Sequence, residues 1–215
     1  MSQVQVHLGG EGRNELGSRS GHPGYQSGAD PGVIEILLRR VQTDGWEVTG
    51  ATQWCRIVKF RAEGPTPNEE RNVLGLVLEA KRANAQILAF VWDSDGDALR
   101  PKTVAAAIEK AETDFPEVAI IGATAIPALE AWVLAMLGDQ GTEALGKAAA
   151  QARLYGKGVA NTQAMVRVST DFVLERLPAD AASLKAWLGV AGDVLPRRVR
   201  EAHASDSPRE LDPRP

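Results

Sequence analysis

The chain is poor in cysteine: Cys55 stands alone among 215 residues. No disulfide can close within the chain, a cysteine-rich metal site is excluded, and a reducing compartment fits. There is no excess of positive charge either. The formal net charge is −4, so no overall basic field advertises nucleic-acid binding, although a local basic groove is compatible with that total. No apolar run approaches the roughly 20 residues of a membrane span. The opening MSQVQVHLGGEG has no basic segment, long apolar stretch or cleavage signal of a secretion leader. A cytoplasmic protein with no membrane partner is expected.

What is present belongs to a folded protein. Hydrophobic residues make up 44% and charged residues 24%, an ordinary globular balance. The length suits one domain with a full core, or a domain with a helical extension. Residues 3–8 read as a short strand. A loop with eight glycines between Gly9 and Gly32 follows; long loops of this kind are often functional. Asp30 and Pro31 resemble a helix start, and Val33, Ile34, Leu37, Leu38 and Val41 recur at helical spacing. Residues 54–60 (WCRIVKF) read as a second strand and residues 63–68 as a turn. Val73, Leu74, Val77 and Leu78 mark a helix. The run 86–92 (QILAFVW) reads as a strand buried on both faces. Pro101 opens a helix with Val104, Ile108 and Ala111 on one face. Residues 117–121 read as a fourth strand, and 127–137 as a further helix.

Strands alternating with helices predict an α/β fold, a mainly parallel sheet flanked by helices, over residues 1–140. Residues 141–196, rich in Ala and Leu, predict a helical extension. Residues 197–215, polar and Pro-rich, predict a disordered tail. In parallel sheets ligands bind beyond the carboxyl ends of the strands, and two acidic segments fall there.

The first is FVWDSDGD. Side chains two apart on a strand share a face, so Asp93 and Asp95 can converge, and Asp97 can join them if Gly96 bends the chain. Clustered carboxylates repel unless a cation lies between them, and Mg²⁺ or Mn²⁺ prefers such oxygen ligands. An Asp- and Gly-rich turn is the plainer alternative. An EF-hand is excluded, because Ala98 and Val104 stand where that loop needs Gly and Glu. The second segment, GGEGRNE, places Glu11 and Glu15 just past the first strand. Glu11 near Asp93 would serve as a metal ligand or as a general acid or base. His7 lies beside it, and a lone histidine is more often structural. His22 falls in the glycine-rich loop. Lys157, in YGKG, can meet a phosphate but lacks the spacing of a P-loop. Arg13, Arg19, Arg39, Arg40, Lys59 and Arg61 are candidates for a basic rim or for ordinary solvated charge. Trp132 reads as core, and Trp46, Trp54, Trp92 and Trp187 as packing.

Glu11-Gly12-Arg13-Asn14-Glu15 after the first strand, with Asp93-Ser94-Asp95 after a later one, resembles the Toprim catalytic domain of topoisomerases, primases and OLD-family nucleases. The stretch 126–138 (IPALEAWVLAMLG) resembles the Glu-Ala-Trp segment of a small, uncharacterised Toprim-like family found near mobile-element and defence genes. The likeness covers residues 3–138. It implies Glu11 as acid/base or metal-binding glutamate, Asp93 and Asp95 as the metal pair, Asp97 and Glu15 as further acids, and a role for Glu130 that is unassigned. Asn14 stands where Thr is usual, and the glycine-rich insertion is long. The implied function is Mg²⁺-dependent phosphodiester hydrolysis of DNA or RNA, in defence or mobile-element biology. Two alternatives stand beside it. One is a non-catalytic Toprim-like module docking to a protein partner. The other is a phosphatase like the haloacid-dehalogenase hydrolases, whose Asp-x-Asp-Gly opening VWDSDGDAL resembles; that reading leaves Glu11 idle.

Overall fold

The computed structural model describes residues 3–20, 29–58, 60 and 67–206. The sequence readings at His22, Lys59, Arg61, residues 63–66 and the tail from 207 lie outside the described residues. In chain order the elements are β1 (Val4–Gly10), α1 (Arg13–Leu16), α2 (Val33–Val41), β2 (Trp46–Gln53), α3 (Asn68–Arg82), β3 (Ile87–Asp93), α4 (Arg100–Asp114), β4 (Ala119–Ala125), α5 (Leu129–Met136), α6 (Lys147–Gly156), α7 (Thr162–Asp171) and α8 (Ala182–Asp206). The fold is α/β, as the alternation of strands and helices predicts. The strands form one sheet in the order β2-β1-β3-β4, with every pair parallel. Among the described residues no helix is long and apolar enough to cross a membrane.

The central strand shows why the sheet needs two covers. Every residue of β3 is buried, and its side chains alternate between two cores. Ile87, Ala89 and Val91 point into the larger one, built with α2, α5, α6, α7 and α8. Leu88, Phe90 and Trp92 point into the smaller one, built with α3 and α4. Asp93 continues the odd-numbered series, so its carboxylate emerges on the side of α5 and α6. That parity decides which helices can reach it.

Two expectations need correction. The second strand is Trp46–Gln53, not residues 54–60. It is an edge strand of Thr, Gly and Gln as much as Trp and Val, so its hydrophobic signal is diluted. The run WCRIVKF is more apolar but serves as a connection. Trp54–Arg56 form a 3₁₀ turn, the Trp54 ring stacks on Trp92 at 4.2 Å, and Val58 is exposed. The other correction concerns the tail. Residues 197–206 are helical, because α8 runs unbroken to Asp206 and carries Pro196 within it. Leu195 and Val199 lie buried in the larger core, which outweighs the polar composition around them. A Cβ on Gly45, ahead of β2, would stand 2.5 Å from Val199 Cγ1. The helix is therefore packed tightly against the start of the edge strand.

This packing has a measurable consequence. Val199→Ala is expected to lower unfolding free energy by about 2 kcal/mol through lost burial and a residual void. Arg200→Ala, on the exposed face, should stay within about 0.5 kcal/mol of the parent. Urea denaturation of both variants tests it; equal, negligible effects would mean that this turn of α8 is not packed.

Candidate metal centre

The strand order reverses direction of growth between β1 and β3. From β1 the chain passes through α2, on the larger-core side, to β2; from β3 it passes through α4, on the smaller-core side, to β4. The connecting helices thus leave on opposite faces, and a crevice opens at the carboxyl ends of β1 and β3, where open parallel sheets bind ligands. Glu11 is the first residue past β1, and Asp93 is the last of β3.

The crevice gathers Glu11, Asp93 and Asp95, whose carboxylate oxygens come within 4.8 Å of one another. Two of them are held by backbone N–H groups, and the third is aimed by its backbone conformation. Glu11 Oε1 accepts the Asp93 N–H at 3.2 Å, which ties the two strand ends together. Asp93 Oδ1 accepts the Leu129 N–H at 2.9 Å, at the first turn of α5, where unpaired backbone donors favour an anion. Asp95 sits in the left-handed region, with φ of 51°, followed by Gly96 at 80°. Aspartate tolerates that region better than most side chains, and glycine freely. The reversal brings Asp95 back over Asp93.

A lysine that the sequence reading did not select stands among these acids. Lys147 Nζ lies 2.9 Å from Asp93 Oδ2, 2.6 Å from Asp95 Oδ1 and 3.5 Å from Glu11 Oε2. Arg100 joins from the first residue of α4. Its Nη1 donates to the Asp93 carbonyl at 2.7 Å and to Asp95 Oδ2 at 3.0 Å, while its guanidinium lies 5.4 Å from the centre of the Trp92 ring. Only weak signals announced either residue: Arg100 closes the DSDGDALR segment, and Lys147 begins a helix 52 residues beyond Asp95.

Electrostatics follow from this arrangement. Burial, reinforced by the Glu11 charge, pushes Asp93 up to about 6 despite the opposing pull of Lys147. Burial also works against ionised Asp95 and charged Lys147. At Asp95 it is outweighed by Lys147 and Arg100, and the carboxyl is held below its ordinary value. At Lys147 it is outweighed by Asp95 and Asp93, and the ammonium is held above its ordinary value.

The remaining predicted residues separate into distinct roles. Glu15 is buried beside the triad, and its Oε2 accepts the Gly12 N–H at 2.8 Å, shaping the turn that presents Glu11. A Cβ on Gly10 would stand 2.5 Å from Glu15 Cβ, so the glycine is what lets α1 fold back over the end of β1. Burial pushes Glu15 up to about 7. Asp97 does not join the cluster; the turn at Gly96 carries it away, and its Oδ1 accepts the Leu99 N–H at 2.9 Å. Lys157 pairs with Asp139 at 2.9 Å, beside Arg153, and meets none of the triad. Glu130 is buried on α5 with Gln151 at 3.3 Å. His7 is buried, 2.9 Å from the Thr52 hydroxyl, and burial pushes it down to about 4, so it is neutral and structural.

Among the described residues the basic rim does not form as a unit. Arg19 and Arg39 both pair with buried Glu35, and Arg40 donates to the Phe172 carbonyl at 2.8 Å. Arg13 lines a separate cleft with Thr162 and Gln163. Trp132 and Trp187 are core residues.

The donor set suits a metal ion. Three carboxylates supply only hard oxygen ligands, the chemistry that Mg²⁺, Mn²⁺ and Ca²⁺ share. The cluster can hold a metal ion; its three negative charges exceed the two positive charges of Lys147 and Arg100. Comparison with protein-family models, curated proteins and solved structures finds no match for this chain.

Glu15 offers a test in metal-free buffer with EDTA. Its folded-state carboxyl holds a proton up to about pH 7, whereas the unfolded chain releases it near pH 4.5. The folded state therefore binds the extra proton, and the stability it contributes is lost as pH rises across that window. Glu15→Gln retains an acceptor for Gly12 and has no charge to bury. It is expected to melt with the parent near pH 4.5 and to be more stable by about 2 kcal/mol at pH 8. A stability difference that does not change with pH would refute the buried-carboxyl assignment.

Proposed function

We infer that the protein is a Mg²⁺-dependent phosphodiester hydrolase of nucleic acid, a Toprim-type nuclease. The observation that carries this reading is the convergence of Glu11, Asp93 and Asp95 from two adjacent strand ends at the switch point of a parallel sheet. The motifs around Glu11 and Asp93 resemble the Toprim pattern, and the spatial pairing of those two residues is what that resemblance requires. The phosphatase reading has no use for Glu11, which sits inside the cluster.

In this proposal Glu11, Asp93 and Asp95 hold the metal, which when bound polarises a phosphate oxygen and lowers the pKa of coordinated water. The chain's own residues do the rest. Leu129 N–H and Asp93 N–H keep the two inner carboxylates oriented. Arg100 keeps Asp95 at the rim. Lys147, one-third exposed, stands at the mouth of the cluster with a flexible stem. With the carboxylates engaged by a metal, its ammonium would be released toward the phosphate, where it would offset charge on the leaving oxygen. Lys147 and Arg100 are the cations that offset the acidic total of the chain where the substrate binds.

The test is calorimetric titration with Mg²⁺ and Mn²⁺ of the parent, of the Asp93→Asn/Asp95→Asn double variant and of Lys147→Met. Saturable binding is expected in the parent and none in the double variant. Lys147→Met removes the cation that competes for the same oxygens, so it should bind metal about tenfold more tightly and cleave DNA or RNA at least about a hundredfold more slowly. Metal binding without cleavage of either nucleic acid would favour the docking-module alternative. Absence of metal binding in a folded parent would overturn the metal centre.

A further inference from the structure

Beside the triad lies a cavity of about 250 Å³ that the proposed hydrolysis does not use. It is smaller than the roughly 300–1,000 Å³ of drug-sized sites, and so takes a single ring system. Its floor carries Glu130, only 8% exposed. One carboxylate oxygen accepts a 3.3 Å bond from Gln151; the other has no hydrogen bond among the described residues. That oxygen opens to the cavity, where an N–H donor of a ligand can take the place of water on it. Leu154, Val159 and Met165 give the cavity an apolar wall, and Asn14, Asn161 and Tyr155 are among its polar lining. Tyr155 is 65% exposed and offers a ring for stacking at the rim.

The cavity is joined to the metal centre through the chain. Glu130 follows Leu129, whose N–H holds Asp93. Gln151 and Lys147 are four residues apart on α6, one facing Glu130 and the other facing the triad. Such pairs lie about 5–6 Å apart at their Cβ atoms. The cavity and the triad therefore adjoin the same face of α6.

We propose that this cavity is a base-recognition subsite that selects guanine in the nucleotide whose phosphate lies on the triad. The inference rests on the phosphodiester reading above. Guanine alone presents two adjacent donors, N1–H and N2–H₂, to a carboxylate. Adenine and cytosine set a ring nitrogen acceptor beside their amino group, and uracil and thymine flank one N–H with two carbonyls; all of these leave a Glu130 oxygen facing an acceptor. Gln151 carries a second N–H suited to guanine O6. A site that hydrogen-bonds its ligand rejects an analogue that sets an acceptor against the carboxylate.

The experiment is titration of the full chain, by calorimetry or NMR, with guanosine and adenosine without metal, and with GMP and AMP in Mg²⁺. Guanosine is expected to bind at least about tenfold more tightly than adenosine, and Glu130→Gln to erase that preference. Gln151→Ala, at an exposed position, should weaken guanosine binding severalfold without touching the core. Equal binding of the two nucleosides, no binding of either, or tighter binding of arginine methyl ester, which would indicate a guanidinium-bearing protein partner, each overturns the subsite. If Mg²⁺ strengthens GMP and AMP equally, the phosphate site stands and the guanine subsite falls. If guanosine binding depends on Glu130 but Mg²⁺ adds nothing for GMP, the subsite stands and the phosphodiester reading fails.

Discussion

Three carboxylates cannot stay ionised together at the end of a sheet unless cations meet them, and much of the architecture can be traced to that constraint. Asp93 is almost fully buried, and an unpaired charge in that position would cost several kcal/mol. Lys147 resolves the conflict by contacting all three acids. It does so as the first residue of α6, so the ion cluster also fixes where the C-terminal helices begin relative to the sheet. Removing one member would leave the others uncompensated, which makes the cluster a specification of position more than a source of net stability.

The helices beyond the fourth strand are part of the same construction. Trp187, Leu195 and Val199 of α8 share one core with Val6 and Val91 of the sheet. Trp132 on α5 donates its indole N–H to Ser183 at 2.7 Å, and Ser183 in turn donates to Glu143. Without these helices the larger-core face of the sheet would present a continuous apolar surface to water. The helical segment therefore helps to cover one face of the sheet and brings Lys147 to the acidic triad and Gln151 to Glu130.

How much of this could be read from sequence depended on whether the signal was local. β3 was legible because burial on both faces produces a continuous apolar run, and Asp93 because it ends that run. Glu11 was legible from its place after a strand among glycines. β2 was missed because an edge strand keeps only half of its pattern, while WCRIVKF spends its apolar residues on a stack with Trp92 and on a connection. Asp97 was placed in the cluster by spacing, given a bend at Gly96, and by the Toprim resemblance. The spacing rule holds for extended chain and fails where Asp95 and Gly96 adopt positive φ. Lys157 looked suited to phosphate because glycines flank it, yet Asp139 claims it. Lys147 and Arg100 were invisible as a pair, since nothing in a sequence says that an ammonium from α6 and a guanidinium from α4 share one carboxylate.

The presence of Lys147 within the triad bears on what the site can bind. If the ion pairs were purely structural, exact neutrality would be the stable arrangement. Instead the three carboxylates of the triad face two cations, one of which, Arg100, also lies 3.9 Å from Glu69, so the cluster carries an excess of negative charge. A divalent cation would offset that excess. Lys147 is suited to both states because its stem is flexible and its exposure is partial, whereas Arg100 is held by a backbone carbonyl and an aromatic face. One cation is free to change partners and the other is not. A site with that asymmetry holds its carboxylates together through Lys147 and still leaves them the excess of negative charge that suits a divalent cation.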